Sequence, residues 1–202
     1  MERNSAGTFS ILAISPDSKL LGVAVASGSA SVGGRVPHAK PGIGVIATQA
    51  QTNIAYGIKG LELLEKGLTP KEALDRLLMD DPQKELRQVA IMDFKMRKAA
   101  FTGVKAPDFR GEAVGKDYIA IGNLLTGKEV VNSMAKEFEN SSGNLALRLS
   151  MALKAGSESG GDQRGEKSVA LIVVSARKVE TKIKIDMYEN PIAELRHRLR
   201  LS

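Results

Sequence analysis

The sequence predicts an α+β layered fold, and three observations predict it. Its β-like runs come in hairpins, and its helical patterns come in pairs. The resulting order ββ, β, αα, ββ, αα, ββ, α does not alternate as a parallel βαβ array does.

Thr8 to Ile14 (TFSILAI) reads as the first strand, closed by the turn signal Ser15-Pro16-Asp17-Ser18. Leu20 to Ser27 (LLGVAVAS) is its hairpin partner, rich in small and β-branched residues. A Gly/Ser loop, Gly28 to Gly34, then leads through Arg35-Val36-Pro37-His38 to a third strand, Ile43 to Gln49. Tyr56 to Lys66 has helical spacing and stops at Gly67. Thr69 is placed to cap a second helix with Pro70 at its first position, and Asp81-Pro82 ends it. Arg87 to Phe94 and Lys98 to Thr102 form a second hairpin. A loop from Gly103 to Asp117 follows, then the strand Tyr118 to Ile121 with Gly122-Asn123. Two further helices span Gly127 to Asn140 and Asn144 to Ala155. After the Gly-rich stretch Gly156 to Gly165 the chain returns to β at Val169 to Val174 and Val179 to Met187. It closes on a helix after Asn190-Pro191.

Composition narrows the chemistry. The 202 residues carry 29 Lys+Arg against 23 Asp+Glu, a net charge of +6, with no cysteine and only two histidines. A chain of this size buries roughly 70% of its unfolded surface as one domain, so no staple is needed. Thiol catalysis, redox motifs and Cys- or His-rich metal centres are excluded, and no cofactor is expected. Basic residues are interleaved with acids, and no aromatic accompanies the tail cluster Arg196, His197, Arg198, Arg200, which argues against nucleic acid. No segment approaches the roughly 20 apolar residues of a membrane span, and the N-terminus lacks a signal-peptide core. The expectation is a soluble, cytoplasmic protein that binds neither nucleic acid nor membrane.

Several motifs are weighed and set aside. Gly160 to Ser168 (GGDQRGEKS) nearly matches a phosphate-binding loop, but Glu166 intrudes and a strand follows where a helix is needed. Asp162 and Arg164, flanked by glycines, remain placed for close approach to a substrate. Ser133-Met134-Ala135-Lys136 fits S-x-x-K without its companion elements. His38 has no orienting carboxylate nearby in sequence, and Asp80-Asp81 reads as a helix end. The stripe Ile192, Leu195, Leu199 packs either on the core or on a second copy, and a homo-oligomer is expected from it. What remains is Gly7-Thr8 at the head of the first strand. A freed Thr8 supplies both nucleophile and base, because its own α-amine, with a pKa near 8, takes the hydroxyl proton. That chemistry needs no histidine, cysteine or metal.

The chain also resembles a known family. Thr8-Phe9-Ser10-Ile11, Leu21 to Ser27 (LGVAVAS), Gly42 to Ala50 (GIGVIATQA), Tyr56-Gly57, Gly60-Leu61, Ala100-Phe101-Thr102-Gly103, Gly122-Asn123, Gly160-Gly161-Asp162-x-Arg164-Gly165 and Asn190-Pro191-x-Ala193-Glu194-Leu195-Arg196 resemble domain-of-unknown-function family 1028, DUF1028. That family is placed among the N-terminal-nucleophile (Ntn) hydrolases. The resemblance therefore implies an αββα sandwich of two antiparallel sheets between helical layers, in one domain over residues 8–202 behind an extension of residues 1–7.

The early segment is also similar to threonine asparaginases and isoaspartyl peptidases, through Gly7-Thr8, Ser27-Gly28-Ser29 and Gly34-Arg35-Val36. These resemblances imply Thr8 as nucleophile and Ser27 or Ser29 as a helper near its amine, and for such chemistry backbone amides or Asn123 are expected to steady the oxyanion. Lys40, 32 residues beyond Thr8, stands at the offset of an assisting lysine in proteasome-type members. Ser29, Arg35, Gln49, Asn53, Asp162 and Arg164 are the implied substrate-binding residues, Arg35 holding a carboxylate. The implied activity is hydrolysis of a small amide or peptide-like C–N bond. The alternative is a catalytically silent Ntn-fold protein that binds a small anionic ligand. Members of DUF1028 commonly begin Met-Thr-Phe-Ser, whereas here Met1 to Gly7 precede Thr8. Freeing it requires cleavage of the Gly7–Thr8 bond, by the protein itself or by another protease.

Overall fold

A computed structural model describes residues 7–201; the proposed N-terminal extension, apart from Gly7, lies outside the described residues. The first sheet holds β1 (Thr8–Ile14), β2 (Leu20–Ser27), β7 (Gly111–Val114), β8 (Tyr118–Asn123), β9 (Ser168–Ser175) and β10 (Val179–Ile185). Their order is β10-β9-β2-β1-β8-β7. The second holds β3 (Pro37–Lys40), β4 (Gly44–Ala50), β5 (Arg87–Asp93) and β6 (Lys98–Thr102) in that order. Every strand pairing is antiparallel. Helices α1 (Ala55–Glu65) and α2 (Pro70–Met79) cover one side, and α3 (Glu129–Asn140), α4 (Leu145–Glu158) and α5 (Pro191–Leu201) the other.

Period-2 alternation makes this a four-layer molecule. In β1, Phe9, Ile11 and Ala13 face the core shared with α3, α4 and α5, while Leu12 and Ile14 face the space between the sheets. In β5, Val89 and Ile91 meet α1 and α2, while Ala90 and Met92 meet the first sheet. Both sheets are thus apolar on both faces, which is why their strands read as continuous hydrophobic runs. Three cores in series give the αββα arrangement.

The second helix of each pair starts on a side-chain cap. Thr69 and Glu72 form a reciprocal capping box ahead of Pro70, and Asn144 accepts from the Leu147 amide at the head of α4. Two short strands escape the sequence pattern. β3 begins on Pro37 and carries His38 and Lys40, polar features that an edge strand tolerates. β7 lies inside the segment expected to be a loop, its four residues pairing only with β8 at the sheet edge. The α5 stripe is seated within its own chain: Ile192 and Leu195 are buried in the outer core, and Leu199 packs against it. The observation behind the homo-oligomer expectation is therefore accounted for by one chain. Among the described residues no helix is long and apolar enough to cross a membrane.

Phe138 anchors the outer core. Its ring lies 5.4 Å from that of Tyr118, and the Arg148 guanidinium sits 4.0 Å over its face. Phe138→Ala is expected to cost about 3–5 kcal/mol. Urea unfolding midpoints of the two proteins measure it, and a loss far below that range would mean α3 and α4 close over the hole.

Candidate active site

Alternation also gathers polar side chains at one end of the layer between the sheets. Thr8 opens β1 on the inward face, and Ser27 and Asn123 are its cross-strand neighbours on either side. Gln49 near the end of β4 and Gln88 near the start of β5 face them from the second sheet. Thr8 is 4% exposed and Ser27, Gln49, Gln88 and Asn123 are fully buried, so each must find partners inside the protein.

Two networks result. The first is a chain of hydroxyls ending on a cation. Thr8 Oγ1 lies 3.1 Å from Ser27 Oγ, Ser27 Oγ lies 3.0 Å from Ser29 Oγ, and Arg35 Nη2 donates to Ser29 Oγ at 2.8 Å. Both Thr8 Oγ1 and Ser27 Oγ donate to the Gly7 carbonyl oxygen, at 2.7 and 2.6 Å. The Gly7–Thr8 peptide is thus held between a nucleophilic hydroxyl and a second donor polarised by a guanidinium.

The second network is made of amides. Gln49 Nε2 donates to the Thr8 carbonyl at 3.0 Å and to Gln88 Oε1 at 2.8 Å, while its Oε1 accepts from Ser10. Asn123 Nδ2 donates to Gln88 Oε1 at 3.1 Å, and Asn123 Oδ1 has no partner among the described residues.

A glycine-lined clasp closes the end. Asp162, 2% exposed, accepts from the Gly28 amide at 2.6 Å and from the backbone and guanidinium of Arg164. It presses against Gly7, where a Cβ would come within 2.6 Å of the carboxyl and 2.7 Å of the Leu124 carbonyl. Only a glycine fits at position 7, because both neighbours are fixed by hydrogen bonds.

Beside the threonine opens a cavity of about 220 Å³, lined by Thr8, Arg35, Val36, Ala50, Gln51, Thr52 and Ile54. Its far wall is the β4–α1 turn, where Ala50 takes a left-handed conformation (φ 66°). That turn is pinned from below. Arg87 donates to the Gln51 carbonyl at 2.7 Å and pairs with Asp81 at 2.8 Å, and Tyr56 donates to the same carboxylate. The Arg87 guanidinium and these hydrogen bonds outweigh burial and hold Asp81 below the usual carboxylate range. Burial first, then the Asp81 carboxylate, pushes the Tyr56 hydroxyl upward, so it remains a donor.

The residues expected from sequence thus divide. Thr8, Ser27, Ser29 and Arg35 come together. Asn123 adjoins Thr8, but its nitrogen is committed to Gln88, so it offers an acceptor where an oxyanion needs a donor. Gln49, Asp162 and Arg164 are engaged with the protein's own groups and position the site rather than line its cavity. Asn53 turns away: its Oδ1 accepts from the Ala55 amide and it borders a separate cavity beside Tyr56 and Asp81. Lys40 stands apart, paired with Glu65 at 2.7 Å and registered with Gly44 at the opposite end of β4 from Gln49. Five strand residues span roughly 17 Å, beyond a lysine's reach, so the 32-residue offset does not bring it to Thr8.

His38 donates to or accepts from no serine; its ring meets the Arg35 carbonyl at 3.1 Å and packs over Gly57. Ser133 and Lys136 lie on α3, in the outer layer. Neither Gln88 nor the Ala50 turn is among the residues expected from sequence. The available signal for Gln88 was parity, since it shares a face with Ala90 and Met92. Among the described residues no three His, Asp or Glu side chains converge as a metal site requires.

The fold is thus an αββα sandwich with Thr8 at the head of a central strand of one sheet, beside a cavity lined by a single guanidinium. The chain belongs to DUF1028, a family of unknown function whose model matches residues 8–195. A crystal structure of a DUF1028 protein from Silicibacter pomeroyi is 33% identical, with a TM-score of 0.90 over 96% of this chain and 85% of that one. Two Anbu (ancestral beta-subunit) proteins are more distant. That of Yersinia bercovieri is 13% identical with a TM-score of 0.45, covering 96% of this chain and 93% of its own. That of Hyphomicrobium is 9% identical at 0.47, covering 95% and 93%. These scores are too low to bear on the fold, which rests on the sheets and cores themselves. No functionally curated protein matches the chain.

Two outcomes test the supports of the site. Asp81→Asn strands the Arg87 guanidinium, 6% exposed, and is expected to cost about 3–5 kcal/mol in chemical denaturation. A cost under about 1 kcal/mol would show that the Ala50 turn holds without the pair. Burial, aided by Lys184 and opposed by the Arg35 carbonyl, keeps the His38 pKa below its ordinary value near 6.5. The unfolded chain therefore takes up this proton first, so stability falls as pH drops below about 6.5. His38→Gln should flatten the dependence of the unfolding midpoint between about pH 7 and 5, and an unchanged slope would contradict it.

Proposed function

We propose that this protein is a threonine Ntn amidohydrolase and that its own Gly7–Thr8 bond is its first substrate. The observation that carries this is the Gly7 carbonyl oxygen, met at once by Thr8 Oγ1 and Ser27 Oγ. Thr8 Oγ1 attacks the Gly7 carbonyl carbon, and the charge that develops on the oxygen is held by the Ser27 hydroxyl, itself fed by Ser29 and Arg35. The C–N bond breaks as the hydroxyl proton passes to the departing nitrogen, leaving an ester on Oγ1. Water hydrolyses that ester, Gly7 leaves as a carboxylate, and Thr8 gains a free α-amine.

Subsequent turnovers repeat the same bond changes on an external amide. The α-amine takes the Oγ1 proton and hands it to the leaving amine, and water resolves the acyl-enzyme. The cavity is small and its charged lining residue is Arg35, which fits a small amide or peptide-like substrate bearing a carboxylate.

Intact mass measured over time on freshly purified full-length protein tests this. The native chain is expected to lose Met1–Gly7 and begin at Thr8, while Thr8→Ala keeps them. Ser27→Ala should slow the loss about a hundredfold or more. A native chain that keeps Met1–Gly7 would overturn the proposal and leave the Arg35 cavity as a binding site for a small anion.

A further inference from the structure

Asn123 is the one buried acceptor side chain without a partner among the described residues. Its orientation is not a free choice. Gln88 Nε2 donates to the carbonyls of Gly111 and Gly122 at 3.1 and 2.9 Å, groups that can only accept. Gln88 Oε1 must therefore point the other way, toward Gln49 and Asn123, and both must offer it nitrogen. Turning the Asn123 amide over would set oxygen against oxygen. Oδ1 is thus left fully buried on the face and at the register position of Thr8, with no donor. An orphaned buried acceptor is destabilising, and a later donor recovers that loss.

We infer that Asn123 is the positioning residue for the Thr8 α-amine: once Gly7 has left, Asn123 Oδ1 accepts a hydrogen bond from the freed nitrogen and fixes it beside Oγ1. The inference rests on the proposed self-cleavage, which creates that amine. It assigns opposite roles to the two neighbours of Thr8. Ser27 donates toward developing negative charge, and Asn123 accepts from the group that shuttles the proton. The charged groups facing this end are the Asp162 carboxylate with Arg164, from the loop after α4, and Arg35, acting through Ser29 and Ser27. From the second sheet the facing groups are the neutral amides of Gln49 and Gln88. Replacing Asn123 with Leu or Asp also gives up the Asn123–Gln88 bond, while Gln88 keeps the Gly111 and Gly122 carbonyls as acceptors.

The test titrates the N-terminal amine itself, so it needs no substrate. Full-length protein, Asn123→Leu and Asn123→Asp are each followed by intact mass for loss of Met1–Gly7. The cleaved forms are then carbamylated with cyanate across pH to obtain the amine pKa. The expected order is Asn123→Asp highest, native intermediate and Asn123→Leu lowest, with steps of about one pH unit or more. At a fixed pH below all three values this is about a tenfold change in carbamylation rate per step. Superimposable titrations for either cleaved variant and the native chain would overturn the inference while leaving self-cleavage intact. So would folded variants that fail to cleave, because Asn123 would then act on the peptide and not on the amine. A native chain that never loses Met1–Gly7 removes the proposed function, and this inference falls with it.

Discussion

The site depends on a constraint of sandwich packing: the space between two sheets must be filled with side chains that need no water, and it has an open end. Along β1, β2, β8 and β9 the inward face runs apolar through Leu12, Val23, Ile119 and Ile172, and turns polar toward one end, at Thr8, Ser10, Ser27, Asn123 and Ser168. Because the strands are antiparallel, these positions are N-terminal in β1 and β9 and C-terminal in β2 and β8, yet they share one end. Burial there is tolerable only because the polar groups satisfy one another. Buried Thr8, its hydroxyl relay and the amide network are therefore consequences of how the sandwich is closed.

Closure at that end requires pieces distant in sequence. Asp162 reaches back to the Gly28 amide across 134 positions, and its glycine neighbours let backbone approach backbone. This explains why the most specific block of the family resemblance, Gly160 to Gly165, contributes no group to the cavity. Its carboxylate is saturated by the Gly28 amide and by Arg164. It packs against Gly7 instead, so the peptide proposed to be cleaved sits under a contact that a side chain at residue 7 would destroy.

Much of the fold was legible because hydrophobic period and turn chemistry agreed. The hairpin of β1 and β2, the capping box at Thr69 and the Asn144 cap follow from neighbouring residues alone. The αββα order came from the resemblance, since no local pattern says which sheet faces which. β3 and β7 were missed because a short edge strand with Pro37 or Gly111 carries little alternation. In the site, Thr8, Ser27, Ser29 and Arg35 could be named from motif and chemistry. Asn53 and Lys40 could not be excluded from sequence, because their separation from Thr8 is set by register. Gln88 illustrates the converse: its importance lies in two carbonyls from β7 and β8, which nothing within its own strand reveals.

The two networks meet at Thr8 with opposite polarity, and this directionality follows from their far ends. The hydroxyl relay terminates on Arg35, which can only donate, so each hydroxyl along it is driven to donate onward toward the Gly7 carbonyl. The amide relay terminates on backbone carbonyls of Gly111 and Gly122, which can only accept, so Gln88 turns its oxygen to Gln49 and Asn123. Both offer it nitrogen, and Asn123 is left presenting oxygen on the Thr8 face of the sheet. A threonine between them has a hydroxyl donor on one flank and an orphaned acceptor on the other, the polarity that the proposed self-cleavage requires. Hydrogen-bond direction, fixed by one guanidinium and two carbonyls, thereby distinguishes the two flanks of a residue that strand geometry alone leaves nearly symmetric.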